Sequence, residues 1–381
     1  MAGVVVCGPL ATRAPAASIF ANLDPTTAYV LADDPSTRSI GMGGASTAVF
    51  WGQPDPWANP ALIATTEGVR FEHDDADYDI VHLHASRFIA GGAGLGVATS
   101  GRPIDGLGRL SLDGPTVEIV GVETISAFER VRSWSIAGSA AGLWSAWARH
   151  TGHDAPRFTR VADVAVGYSQ HGVEEGFSAS SGDLVGHGVV HDLGVLARAG
   201  GIVWRSGEAR LGLDGAAAYS NHNSGRDGVD VFGPGTLAPA FHQERVGLAA
   251  RATLDRPWAG SWLLERYHPL VSLGFAYDPV HNTSNRIDDW GAELGLGGVL
   301  FARLGQTGSA QRSWGLGVAL PIGRFGGASY DYARTKQTNG LIDHVTHNSF
   351  GVWVDPLAIW RVGRLGPSTQ DSRAVDPGGQ R

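Results

Sequence analysis

The chain of 381 residues has a single cysteine, Cys7, and a single lysine, Lys336, among its 29 basic residues. One thiol excludes an internal disulfide framework and a cysteine-rich zinc site. Charge is scarce at 17%, and its balance is acidic, with a formal net charge of −8 and a pI near 5.9. No window supplies the basic surplus or stripe of a nucleic-acid binder, so nucleic acid is not an expected partner. Long apolar runs are missing as well. No stretch reaches the roughly 18 to 20 residues that a membrane-spanning helix requires. Repeats of fixed period are not evident, which counts against a propeller.

What is abundant is glycine, at 55 residues about twice ordinary usage. From about residue 69 onward it falls into a period of two. In Tyr267 to Asp278, the positions Tyr267, Pro269, Val271, Leu273, Phe275 and Tyr277 share one face, opposite His268, Leu270, Ser272, Gly274, Ala276 and Asp278. Ala162, Val164, Val166 and Tyr168 oppose Asp163, Ala165, Gly167 and Ser169 in the same way, and Trp314, Leu316 and Val318 oppose Ser313, Gly315 and Gly317. This is strand alternation. One face is large and apolar, the other small or polar.

Aromatic residues (Tyr168, Tyr219, Tyr267, Tyr277, Trp290 and Trp314) close several of these segments. Aromatics flanking an apolar band mark a transmembrane β-barrel, whose tyrosines and tryptophans sit at the lipid–water interfaces. A β-sandwich would alternate too, but its shared core needs bulky side chains rather than Gly, Ala and Ser. At about 20 residues per strand and connection, residues 69–361 give about fourteen antiparallel strands. The predicted fold class is therefore an all-β transmembrane barrel, which places the chain in the bacterial outer membrane with lipid as a partner.

Turn signals divide the strands at Gly101-Arg102-Pro103, Asp113-Gly114-Pro115, Ser206-Gly207, Arg256-Pro257, Thr307-Gly308 and Asn339-Gly340. The connections Asn221 to His242 and Asp278 to Asp289 read as long. Gly91-Gly92, Gly200-Gly201 and Gly297-Gly298 are candidate kinks or bulges. Residues 1–21 end in small residues and read as a truncated signal peptide or a disordered N-terminus. Residues 362–381 are polar, with Pro and Gly, and read as a disordered tail.

Catalytic chemistry finds little support. His82 with His84, His150 with His153, and His344 with His347 match no zinc pattern, and no metal or other cofactor is expected. The carboxylate pairs Asp74-Asp75, Glu174-Glu175 and Asp288-Asp289 read as solvated charges near turns. No G-x-S-x-G nucleophile motif occurs, so the chain reads as a non-enzyme.

Residues 38–64 alone depart from the strand pattern. They contain Arg38-Ser39-Ile40-Gly41-Met42-Gly43-Gly44-Ala45 and then Trp57-Ala58-Asn59-Pro60-Ala61-Leu62-Ile63-Ala64. Glycine allows backbone to approach a wall without a Cβ clash, and Pro60 holds Asn59 out of the helical region. The order R-x-x-G-M-G-G-A followed by W-x-N-P-A-x-x-A resembles the N-terminal plug of FadL-type outer-membrane transporters and the related PorV/PorQ family. Asp192-Leu193-Gly194-Val195-Leu196 and Leu211-Gly212-Leu213 are similar to strands of PorV-like barrels. The resemblance implies an extension and plug over residues 22–68 inside a barrel of about fourteen strands. Gly41, Met42, Gly43, Gly44, Ala45, Asn59, Pro60 and Ala61 would then form the plug or gate. It further implies a hydrophobic, fatty-acid-like small molecule as ligand or, in the PorV branch, secreted protein domains as partners.

Overall fold

A computed structural model describes residues 36–356 except 79–80, 110–125, 154–160, 180–181, 231–236, 256–268, 283–285, 309–310, 323–324 and 338–343. The terminal stretches 1–21 and 362–381 lie outside the described residues. So do Tyr267, His268 and the turn signals at Asp113-Gly114-Pro115, Arg256-Pro257 and Asn339-Gly340.

Sixteen strands follow a short N-terminal segment: β1 (Gly68–Tyr78), β2 (Val81–Gly92), β3 (Leu95–Arg109), β4 (Ser126–Ser139), β5 (Ala162–Ala179), β6 (Gly182–Ser206), β7 (Ala209–His222), β8 (Gly228–Asp230), β9 (Leu237–Pro239), β10 (Gln243–Asp255), β11 (Val271–Asn282), β12 (Arg286–Leu296), β13 (Leu300–Thr307), β14 (Gln311–Ile322), β15 (Gly326–Gln337) and β16 (His344–Val354). Fourteen of them form one antiparallel ring. It runs from β5 down to β1, across to β16, back to β10, then through β7 to β6, and a β5–β6 ladder closes it. The short β8–β9 hairpin pairs onto β6 through His187 and Asp230.

Alternation sets the two faces of this wall. On β14, Trp314, Leu316, Val318 and Leu320 are exposed, while Ser313, Gly315 and Gly317 are buried. On β11, Leu273 and Phe275 point outward and Ser272, Gly274, Ala276 and Asp278 inward. Outward aromatics pair on neighbouring strands, Trp134 against Tyr168 and Trp314 against Tyr332, both at 5.4 Å between ring centroids. From Trp314 to Ile322 the apolar stripe spans about 27 Å of strand, which a tilt of about 40° shortens to about 21 Å, close to the lipid-facing band of such barrels. A closed antiparallel barrel with an apolar belt and aromatic girdle is the architecture of an outer-membrane protein.

The rim where β1 begins and β16 ends is called lower here, and the opposite rim upper. The lower rim carries a helix that strand periodicity did not anticipate, α1 (Ala140–Thr151), between β4 and β5. Ser139 caps it, with Oγ accepting from Gly142 N at 3.0 Å, and Gly152 ends it at φ +72°. Its Leu143, Trp144 and Trp147 are exposed, which suits the lower lipid interface.

Several local readings are corrected. Gly101-Arg102-Pro103 is no turn, because β3 runs through it. Asp278 to Asp289 is no long connection either: the two residues face each other across the β11–β12 ladder. The carboxylate pairs sit within β1, β5 and β12, and Asp74 and Asp289 are buried. His344 and His347 both lie in β16, and His347 is buried there. Gly200-Gly201 does mark an irregularity, since the β6–β7 register shifts between Ala199 and Ile202. Gly91-Gly92 ends β2, and Gly297-Gly298 forms the β12–β13 turn with φ of +61° and +67°.

Candidate functional site

Residues 36–66 hold little regular structure. A single helical turn over Thr37–Gly41 is capped by Ser36, whose Oγ accepts from Ser39 N at 3.3 Å. Gly43 and Gly44 follow with φ of +66° and +82°, a left-handed reversal that suits glycine. Farther on, Asn59 caps a 3-10 turn over Pro60–Thr65, with Oδ1 accepting from Ala61 N at 2.9 Å.

This segment touches the inward face of strands all around the ring, which is possible only from inside it. Met42 presses on Gly291 and Gly305, and Thr47 and Ala48 on Gly247. Trp51 lies on Gly274, Asn59 on Gly194, Pro60 and Ala61 on Gly167, and Ile63 on Gly96. A Cβ at any of these wall glycines would collide with the segment. The lumen-facing glycine is therefore the imprint of a chain packed against the wall. Met42, Val49, Trp51, Leu62 and Ile63 join Ile89 and Leu196 of the wall in one apolar cluster.

Of the residues singled out from sequence, Gly41, Met42, Ala45, Asn59, Pro60 and Ala61 are all buried here. Gly43 and Gly44 stand toward the upper part of β12 and β13. Thr307 Oγ1 donates to Gly43 O at 2.7 Å, and Arg245 Nη2 to Gly44 O at 3.0 Å. Asn59 Nδ2 donates to Thr47 O at 3.1 Å and to Val195 O at 3.2 Å, tying the two halves of the segment to each other and to β6.

Polar residues that sequence reading missed do much of the anchoring. Glu293 accepts two bonds from Arg38, at 3.0 and 3.1 Å, one from Trp51 Nε1 at 2.9 Å and one from Arg303 Nε at 2.7 Å. Arg303 also pairs with Asp331. Asp278 Oδ2 accepts from Ser46 N at 2.9 Å and Thr47 N at 2.8 Å. On the other side, Arg87 reaches Asp55 of the segment at 3.1 Å and Asp74 of β1 at 2.7 Å. Thr37 N and Oγ1 both donate to Asp74 Oδ1 at 3.2 Å. The available signal was a charge on the small-residue face of a strand, as at Asp278.

A second buried network crosses β4 to β7. Ser133 Oγ lies 2.6 Å from His171 Nδ1, His171 Nε2 lies 2.8 Å from Asp192 Oδ2, and His222 Nδ1 lies 2.8 Å from that same oxygen. The residue types are those of a hydrolase relay, but the ring nitrogens are exchanged, with serine on Nδ1 and aspartate on Nε2. Here the aspartate is shared with a second histidine, and Trp57 sets its ring 5.4 Å from His171. Asp192 Oδ1 also accepts from Asn223 N at 2.9 Å, so the group fixes the start of the β7–β10 connection.

One space beside the segment, among Arg38, Met42, Ser46 and Asp55, measures about 10 Å³. That is room for no more than a water.

No protein-family model and no curated protein matches the chain. Among solved structures it is similar to the CymD monoaromatic hydrocarbon channel, at 12% identity and a TM-score of 0.37 over 83% of this chain and 95% of that one. It is also similar to the toluene transporter TodX of P. putida, at 11% identity and a TM-score of 0.36 over 82% and 95%. A likeness to the KdgM porin stands at 9% identity and a TM-score of 0.31 over 75% and 98%. These likenesses spread over a hydrocarbon channel, a toluene transporter and a porin, so none of them separates one cargo from another.

Proposed function

We propose that the protein is an outer-membrane channel for hydrophobic small molecules of fatty-acid or aromatic-hydrocarbon size, gated by residues 38–64. The observation that carries this reading is the apolar cluster that Met42, Val49, Trp51, Leu62 and Ile63 build with Ile89 and Leu196 within the lumen. A pore for polar solutes has a polar, water-filled interior. Here an apolar molecule that replaces part of the segment's packing gains about 25 cal/mol per Å² of surface removed from water. Because the segment packs on wall glycines from β3 to β14, passage through the ring requires it to move. The resemblance of the Arg38–Ala45 and Trp57–Ala64 motifs to FadL-type plugs supports the same role, and the role is transport rather than catalysis.

The test locks the gate. A Cβ built on Gly41 stands 3.6 Å from Ala333 Cβ, within disulfide range. Full-length Gly41→Cys/Ala333→Cys, with Cys7→Ser to remove the native thiol, is reconstituted in liposomes and assayed for uptake of a labelled long-chain fatty acid and of toluene. Uptake should fall at least tenfold on oxidation and return on reduction. Unchanged uptake in the oxidised form overturns the gate. Failure of the wild type to take up either probe, alongside stable capture of a secreted protein domain, overturns the channel in favour of a secretion component.

A further inference from the structure

At the girdle, the outer wall concentrates positive charge. Arg312 on β14 and Lys336 on β15 lie directly opposite in the ladder, and Arg334 pairs with Trp314 two residues nearer the belt. All three belong to the outward set, alternating with the buried Ser313, Ala333 and Thr335. Like charges directly opposite on a sheet repel. No acidic partner meets any of the three among the described residues, and Arg334 Nε is buried without an acceptor there.

These cations line an open groove of about 570 Å³ together with Trp290, Leu304, Gln306 and Trp314. Two rows cross it, Trp290, Gln306, Arg312 and Lys336 nearer the rim and Leu304, Trp314 and Arg334 nearer the belt, so each row places apolar surface beside a cation. Tryptophan marks the headgroup level of a bilayer, so charges in the same ladder rows as Trp290 and Trp314 stand where lipid headgroups are. Guanidinium forks and an ammonium around one point match a phosphate in charge and geometry. A soluble anion would leave the Trp and Leu surface in water, whereas an acyl chain covers it.

We propose that this groove binds an anionic, phosphate-bearing lipid of the surrounding bilayer. The phosphate sits among Arg312, Arg334 and Lys336, and the acyl chain runs down over Leu304 and Trp314. Occupancy relieves the repulsion between Arg312 and Lys336.

Full-length protein in zwitterionic detergent is equilibrated with phosphatidylglycerol or phosphatidylcholine, and retained lipid is counted by native mass spectrometry. Wild type should retain phosphatidylglycerol at least tenfold over phosphatidylcholine, and R312Q/R334Q/K336Q should retain the two equally. The heat-modifiable gel shift of a closed barrel confirms folding. If the triple variant does not fold, K336Q alone is read, with a loss of about threefold expected. Equal retention of both lipids by wild type, or an unchanged preference in the folded variant, overturns the proposal. Displacement of phosphatidylglycerol by an equimolar amount of inorganic phosphate overturns the lipid in favour of a free anion.

Discussion

Arg38 and Glu293, 255 positions apart in the chain, meet in a two-point ion pair inside the barrel, at 3.0 Å and 3.1 Å. The same carboxylate takes the Trp51 indole and the Arg303 guanidinium, so one side chain of the wall holds two residues of the segment. Removing a single partner of a buried pair leaves an uncompensated charge, at a cost of about 3–5 kcal/mol. Glu293→Ala should lose that much in denaturant unfolding followed by tryptophan fluorescence. Arg38→Ala/Glu293→Ala should cost less than the sum of the two single changes. Strict additivity would show that the pair does not hold the segment.

Gly274 and Trp51 offer a test of the imprint. A Cβ at Gly274 meets the Trp51 ring, a side chain, whereas a Cβ at Gly305 meets the backbone of Met42 and Gly43. Gly274→Ala should destabilise the barrel by about 1–3 kcal/mol, as overpacking does. Trp51→Ala should recover part of this loss, giving a coupling of about 0.5–3 kcal/mol in a double-mutant cycle. Gly305→Ala should find no such relief in any side-chain change at Met42.

The lipid belt predicts a gradient with depth. Val318→Arg, at the middle of the apolar stripe, should cost about 2–4 kcal/mol, and Ile322→Arg, at the lower end of β14, about 0–1 kcal/mol. Equal costs in refolding titrations into phosphatidylcholine vesicles would contradict the placement of the belt. The inward neighbour Gly317 is no neutral control, because a side chain there would strike Asp331 and Arg303.

Asp192 should govern the connection above β7. Asp192→Ala strips the acceptor from His171, His222 and the Asn223 amide, and each unsatisfied buried group costs about 1–3 kcal/mol. Arg226, three residues beyond Asn223 and exposed, should then be cut by trypsin sooner than in wild type. An unchanged cleavage rate would place the anchor elsewhere, for example at the Asn223 side-chain bonds to Asp227 and Ala240.

The wall was legible in sequence because lipid imposes a local rule: on β14, Trp314, Leu316 and Val318 must be apolar whatever lies elsewhere in the chain. What escaped is long-range. Asp289 looks like a loop charge until Arg245 is known to face it, and Asp278 like one more polar residue of the small face until Ser46 and Thr47 are. Nothing near Asp192 announces His171 or His222, which come from neighbouring strands. The helix Ala140–Thr151 was hidden by its brevity and by the strands that flank it. The motif around Gly43 and Asn59 was visible as a departure from alternation, but its charged partners Arg87, Glu293 and Arg303 lie on strands whose inward faces read as merely small or polar.

The β1–β16 ladder sets the order in which this molecule can assemble. It joins the first strand to the last through pairs such as Phe71 with Val352, so the ring cannot close until the whole chain is present. Residues 36–66 precede β1, yet they rest on β10 to β14, which come late in the chain. The bonds of that stretch to Glu293 and Asp278 therefore form only once β11 and β12 are in place. Contacts of such high sequence separation make for slow folding, since loop closure is paid before the contacts return it. The interior and the seam thus depend on the same late strands, so the segment's place is not fixed until the end of the chain has been made.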